Sequence, residues 1–169
     1  MATYYLDTSA LVKRYINEPG SMWVRQLCDE RGSNNELLHV LFVGRIAIVE
    51  VAAAIAVLVR RNIILSGVGK YAYERFNQDW ATAYQISELH PSPLTKAATL
   101  AQRHPLKAND AVHLALALET RQLLIENELD LIFVSGDTRL LEAAQAEGLA
   151  AENPFTYSHL DNSPQENLQ

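Results

Sequence analysis

The sequence predicts a three-layer α/β domain, a central parallel sheet flanked by helices. Two observations predict it: short β-favouring runs alternate along the chain with stretches of helical periodicity, and two of those runs end in polar clusters, Asp7-Thr8-Ser9 and Ser135-Gly136-Asp137-Thr138. Strands alternating with helices pack as a parallel sheet with right-handed crossovers, and such sheets carry their sites at the carboxyl ends of strands. The chain has 169 residues, 49% apolar and 20% charged, which suits one core and excludes a disordered chain.

Thr3–Leu6 is a strand that stops at Asp7, and the polar trio there caps a helix continuing through Ala10–Tyr15. Pro19 stands at a good first helical position, and Ser21–Glu30 reads as a second helix. Arg31–Glu36 is a loop and Leu38–Val43 a strand. Ile46–Val59 is a helix with 13 apolar residues of 14, the exception being Glu50; a helix apolar all round is expected to be buried. Arg60-Arg61-Asn62 ends it with the positive charge that suits a helix C-terminus. Ser66 caps the next helix. Its Tyr73, Phe76, Trp80 and Tyr84 recur at spacings of three and four and read as core, with a protein interface as the other use of such a stripe. Pro91 and Pro93 precede a helix over Leu94–Arg103, which His104-Pro105-Leu106 breaks. Asn109-Asp110 opens another helix, Leu129–Val134 is a strand, and Arg139–Glu147 is a helix with Gly148 just past its end. Leu149–Ala151 is a last short strand. The domain is read as 1–154, and 155–169 as a polar, flexible tail.

Twenty acidic against 14 basic side chains give a formal charge of −6, which argues against a charge-driven nucleic-acid coat. It does not exclude an enzyme that holds phosphates through metal ions. Cys28 is the only cysteine, so no internal disulfide forms; a reducing, cytoplasmic setting is expected, with the thiol as a small apolar residue. No signal peptide is expected from the N-terminus. Leu37–Val59 is long enough to span a bilayer, but His39, Arg45 and Glu50 interrupt it, and a central charge costs about 2.5–3.5 kcal/mol on insertion. No membrane segment is expected.

Four acids stand out. Asp7 and Asp137 follow strand-like runs, Asp110 stands at a helix start, and Glu50 is a lone carboxylate in an apolar helix, expensive to bury unless paired or metal-bound. A salt bridge to an arginine is the simple alternative for Glu50. Four carboxylates brought together repel unless a divalent cation joins them, and all-oxygen ligands select Mg2+ or Mn2+ over zinc. Metal-assisted hydrolysis of a phosphodiester is the chemistry suited to such a cluster. The hydroxyls of Thr8, Ser9, Ser135 and Thr138 are candidates to orient ligands, each also an ordinary capping residue. His113, one turn after Asp110, reads as a satisfied structural histidine rather than a general base.

The segments LDTSALVKRY, IAIVEVAAAI, LKANDAVHLALAL and FVSGDTRLLEAAQAEGL, in that order from about Thr3 to Pro154, resemble the PIN domain, and in particular the single-domain VapC-type ribonuclease toxins of bacterial toxin–antitoxin pairs. The resemblance implies that Asp7, Glu50, Asp110 and Asp137 are the acidic quartet of a magnesium- or manganese-dependent endoribonuclease, held inactive by a cognate antitoxin and often a homodimer. Lys13, Arg14, Arg45 and Lys107 are candidate RNA-phosphate contacts, with solvated surface charge as the alternative. Two departures stand against the pattern. A Ser or Thr usual upstream of the helical Glu is replaced by Val43-Gly44-Arg45-Ile46, and the stretch around Arg31–Val43 is longer than in compact members. Three other readings compete: a PIN-fold RNA-processing nuclease outside a toxin–antitoxin pair, a strand-end-Asp phosphohydrolase suggested by YYLDTSA, and a non-catalytic binding module. The phosphohydrolase wants a second acid where Ser9 stands, and the presence of all four acids disfavours the binding module.

Overall fold

The structure, a computed structural model, describes residues 1–162. Its elements in chain order are β1 (Thr3–Leu6), α1 (Thr8–Tyr15), α2 (Ser21–Asp29), β2 (Val40–Gly44), α3 (Ala47–Arg60), α4 (Ser66–Thr82), β3 (Gln85–Ser87), α5 (Pro91–Arg103), α6 (Ala108–Ile125), β4 (Leu131–Val134), α7 (Thr138–Ala146) and β5 (Ala150–Glu152), followed by a 3-10 helix over Pro154–Asn162. The strands form one sheet in the order β3-β2-β1-β4-β5, every pair parallel.

Adjacent residues of a strand face opposite sides, and β1 shows how this divides the core. Leu6 packs with Leu11, Val24, Val43, Val51 and Phe76 on the side of α1–α4. Tyr5 packs with Leu114, Leu116, Phe133 and Leu140 on the side of α6 and α7. Because the chain leaves β1 for β2 on one side and returns to β4 on the other, the strand order reverses beside β1. Such a crevice, at the carboxyl ends of β1 and β4, is where open α/β sheets place their sites. Register puts Leu6 opposite Val134, so Asp7 and Ser135 leave the sheet side by side, with the Asp7 N–H donating to the Val134 carbonyl at 3.0 Å.

Four features differ from the sequence reading. β3 pairs with β2 through only three residues, Gln-Ile-Ser, too short and polar to signal a strand. α5 starts at Pro91, because prolines fit a first helical turn that has no N–H partners to lose. α3 is buried along one face only, through Ala47, Val51 and Ile55, while Val49 is 67% exposed. It covers the sheet from outside, so just one stripe of it reaches the core. The chain also continues in order past Pro154. Its 3-10 helix packs on α2: the Tyr157 ring stacks on Trp23 at 4.5 Å, and the Asp161 carboxylate accepts from the N–H groups of Gly20 and Met22 at 2.6 and 2.8 Å. Gly20 has φ 86°, and a Cβ there would collide with the Pro154 carbonyl, so the docking needs glycine. Residues 163–169 of the expected tail lie outside the described residues.

Of the aromatic stripe, Phe76 and Tyr84 are buried and Tyr73 is 37% exposed; Tyr84 lies past the end of α4 and meets the Tyr15 hydroxyl at 2.5 Å. Cys28 is buried, and burial pushes its thiol up to about 11, so it is an inert core group. No helix among the described residues is long and apolar enough to cross a membrane.

Candidate active site

A cleft of about 610 Å3 opens at the carboxyl ends of β1 and β4, and Asp7, Glu50, Asp110 and Asp137 all line it. Each acid arrives by a different local device. Asp7 is the N-cap of α1, with Oδ1 accepting from the Ala10 N–H at 2.8 Å. Asp137 is the N-cap of α7, with Oδ1 accepting from the Arg139 and Leu140 N–H groups at 2.9 and 3.2 Å. Asp110 lies in the first turn of α6, where the helix dipole favours a carboxylate. Glu50 lies in the first turn of α3.

Hydroxyls hold Asp7 in place. Ser9 Oγ donates toward its carboxylate at 2.8 Å and Ser135 Oγ at 2.7 Å. Ser135 also accepts from the Asp137 N–H at 3.0 Å, so one buried hydroxyl ties two strand-end acids together. Thr138 lies outside the cleft, on an adjoining depression that also touches Lys107, Asp110, Asp137 and Arg139.

Glu50 is bound differently. Thr8 Oγ1 donates to its Oε2 at 2.5 Å, and His113 Nε2 meets the same oxygen at 2.6 Å. The far side of the imidazole, Nδ1, lies 3.1 Å from the Tyr5 hydroxyl. A ring protonated at Nε2, donating to Glu50 and accepting from Tyr5, satisfies every group of this buried chain. Gly44 makes room for it, since a Cβ there would stand 2.6 Å from the Tyr5 hydroxyl. The hydroxyl on Glu50 thus comes from Thr8 in α1, and its basic partner is a histidine, not an arginine. His113 is a satisfied core residue, as its sequence context suggests, and it also orients Glu50.

The electrostatics separate the acids. Burial pushes the Asp7 carboxyl above the ordinary range, against the pull of His113, the Ala10 N–H and the two serines. Burial raises Asp110 too, and the charges of Asp137 and Asp7 raise it further against Lys107. Burial also acts to raise Glu50, yet the His113 and Thr8 hydrogen bonds hold it below the ordinary range.

The basic candidates part company. Lys107 lines the cleft and is exposed. Lys13 lines it as well, but it is buried and paired with Glu18 at 3.2 Å. Arg14 is held between Asp29 and Asp79 at 3.0 and 2.8 Å, outside the cleft lining, where it ties α1 to α2 and α4. Arg45 follows the end of β2, paired with Glu88 and over the Trp80 ring, also outside the cleft lining. Sequence reasoning passed over Asn109, Val57, Leu58 and Phe155, which line the cleft without any charge to mark them.

Comparison with known proteins gives consistent results. Residues 4–146 match the PIN domain family. The chain is 32% identical over 148 residues to Ribonuclease VapC45 and to Ribonuclease VapC49 of Mycobacterium tuberculosis, strains CDC 1551 / Oshkosh and ATCC 25618 / H37Rv; each match covers 88% of this chain and 93% of the relative. Its fold is similar to the crystal structure of FitAcB from Neisseria gonorrhoeae, with a TM-score of 0.57 and 17% identity over 90% of this chain and 98% of that one.

Proposed function

The chain belongs to the PIN domain family, and on that premise we propose that it is a magnesium- or manganese-dependent endoribonuclease that hydrolyses RNA phosphodiester bonds through Asp7, Glu50, Asp110 and Asp137. The observation that carries this reading is the convergence of four acids on one cleft, with the Asp110 carboxyl taking no hydrogen bond among the described residues and sitting between two like charges. The donor set fits a hard cation, since it offers carboxylate oxygens and neither thiolate pairs nor histidine pairs. Among the described residues no three His, Cys, Asp or Glu side chains stand close enough to share an ion as placed, so binding calls for side-chain rotation. Asp110 has no bond to break, and Asp137 keeps its cap through Oδ1 alone.

A divalent cation at this site would activate water and neutralise charge on the attacked phosphate and the leaving oxygen. Asp7 is fixed by Ser9, Ser135 and the start of α1, and serves as the rigid anchor of the site. Asp110 and Asp137 supply the negative charge opposite it. Glu50, kept ionised by His113 and Thr8, is placed to orient a water or accept its proton. Lys107 at the cleft is the candidate contact to the RNA backbone.

The same reading makes the protein the toxin of a toxin–antitoxin pair, working in the cytoplasm as a homodimer and neutralised by a cognate antitoxin. Exposed apolar side chains on α3 and beside and on α4, Val49, Leu65 and Tyr71 at 67, 78 and 62%, support a protein partner there. The test is incubation of the purified protein with total RNA, with magnesium or with EDTA, beside a small phosphomonoester. Discrete RNA fragments in magnesium only are expected. Turnover of the phosphomonoester without RNA cleavage would replace the nuclease by a phosphohydrolase.

A further inference from the structure

The cleft has two chemistries, and the proposed reaction uses only one. Beside the acids, its wall includes Val12, Ala54, Val57, Leu58 and the ring of Phe155. A phosphate needs none of these. Phe155 is 45% exposed, and among the described residues it is the one aromatic ring of the cleft wall that solvent reaches, His113 being buried.

Its placement is built with some effort. Phe155 belongs to the 3-10 helix, C-terminal to the PIN-family span of 4–146. That helix is tied down at separate points: Tyr157 stacks on Trp23 and donates to Glu152 at 3.0 Å, Asp161 caps α2, and the Phe155 N–H donates to Asn153 Oδ1 at 2.9 Å. The ring itself is held by the Lys13 ammonium, 4.1 Å from its centroid, which Glu18 holds in turn. It also lies against the loop that carries Asp137: a Cβ on Gly136 would stand 3.2 Å from Phe155 Cε2 and 3.3 Å from Ser9 Oγ.

An exposed ring, fixed in position and adjacent to the strand-end acids, is what a nucleobase stacks on when its phosphate lies at those acids. We propose that Phe155 is a base-stacking platform of the RNA site, receiving the base of a nucleotide that flanks the scissile phosphate. This rests on the ribonuclease reading and adds a base subsite to it. Stacking accepts any base, so the platform positions single-stranded RNA without dictating its sequence.

The test measures binding apart from cleavage. A 5′-fluorescein single-stranded RNA is titrated with the protein and followed by anisotropy, with calcium in place of magnesium; cleavage in magnesium is measured in parallel. Phe155→Leu keeps apolar bulk and removes the π face, and Phe155→Trp keeps a stacking face. Phe155→Leu is expected to weaken binding about tenfold, within the range of one base–aromatic stack, and Phe155→Trp to restore it. An RNA carrying a single abasic nucleotide beside the cut should lose the same factor with the unaltered protein and nothing further with Phe155→Leu. Equal binding by the unaltered protein and a folded Phe155→Leu overturns the platform, as does an abasic scan in which no position matters. RNA bound with these dependences but never cut would leave the platform standing and remove the nuclease; failure to bind RNA at all would remove both.

Discussion

Glu50 and Asp110 face one cleft, yet the fold treats their charges in opposite ways. Glu50 accepts from Thr8 at 2.5 Å and meets His113 at 2.6 Å, with Tyr5 behind the imidazole, and these bonds keep its carboxyl below the ordinary range despite burial. Asp110 takes no hydrogen bond among the described residues, and burial with the charges of Asp137 and Asp7 raises it. A carboxylate already balanced by its own protein gains little from a cation, and one left in conflict gains much. On the proposed reading, the strand-end acids Asp7 and Asp137 and the helix-start acid Asp110 form the cation-holding half of the site, and Glu50 forms a pre-ionised half whose proton affinity His113 sets.

The largest effect that separates the halves is linkage to metal. Magnesium at 100 times its dissociation constant adds about 2.7 kcal/mol of stability, or about 5–10 °C in Tm for a chain this size. The unaltered protein should show that rise in a thermal melt. Asp110→Asn should start from a higher Tm in EDTA, because a repulsion is gone, and should not rise with magnesium. An equal rise in both proteins would place the cation elsewhere.

Next comes the Glu50 half. His113→Ala leaves the Tyr5 hydroxyl and Glu50 without their shared partner and should lower stability by about 1–3 kcal/mol in urea unfolding. The pH dependences should diverge in EDTA. The folded pKa of Asp110 is raised, so its favourable contribution is complete below its unfolded pKa and is lost as pH rises through the folded value. The folded pKa of Glu50 is lowered, so its contribution is present above its unfolded pKa and is lost as pH falls through the folded value. Urea midpoints from about pH 3 to pH 7 should therefore decline less steeply with rising pH in Asp110→Asn, where Asp7 keeps its share, and less steeply with falling pH in Glu50→Gln. Identical pH profiles for the two variants would erase the contrast.

The smallest effect concerns Asp137, which both caps α7 and faces the cleft. Asp137→Ala should cost about 1 kcal/mol as a lost cap, whereas Asp137→Asn keeps the accepting oxygen and should unfold like the unaltered protein. A matching loss in both would mean that charge, not capping, is what α7 needs.

Much of this arrangement is legible in the sequence, for physical reasons that differ by residue. Asp7 and Asp137 are legible because a strand-length apolar run stops at or just before each, and parallel neighbours bring strand ends together. Glu50 is legible because a lone carboxylate among apolar helix residues demands a partner. That partner is not legible: His113 lies 63 residues away inside AVHLAL, where an imidazole looks like any core residue. The places of Arg14 and Arg45, outside the cleft lining, are not legible either, because sequence shows a charge but not the acids, Asp79 and Glu88, that pair with it. The 3-10 helix is hidden as well. Its order comes from Tyr157 and Asp161 meeting Trp23, Gly20 and Met22 at a distant helix start, partners that its own sequence does not announce.

The most direct test of a metal-dependent nuclease site is cleavage of a single-stranded RNA by the purified protein and by Asp110→Asn, each with magnesium and with EDTA, beside a thermal melt of both. Cleavage by the unaltered protein is expected in magnesium and none in EDTA, with a loss of about a thousandfold in Asp110→Asn, whose Tm in EDTA is equal or higher. Cleavage that survives EDTA, or an Asp110→Asn variant that cuts at the unaltered rate, would contradict such a site.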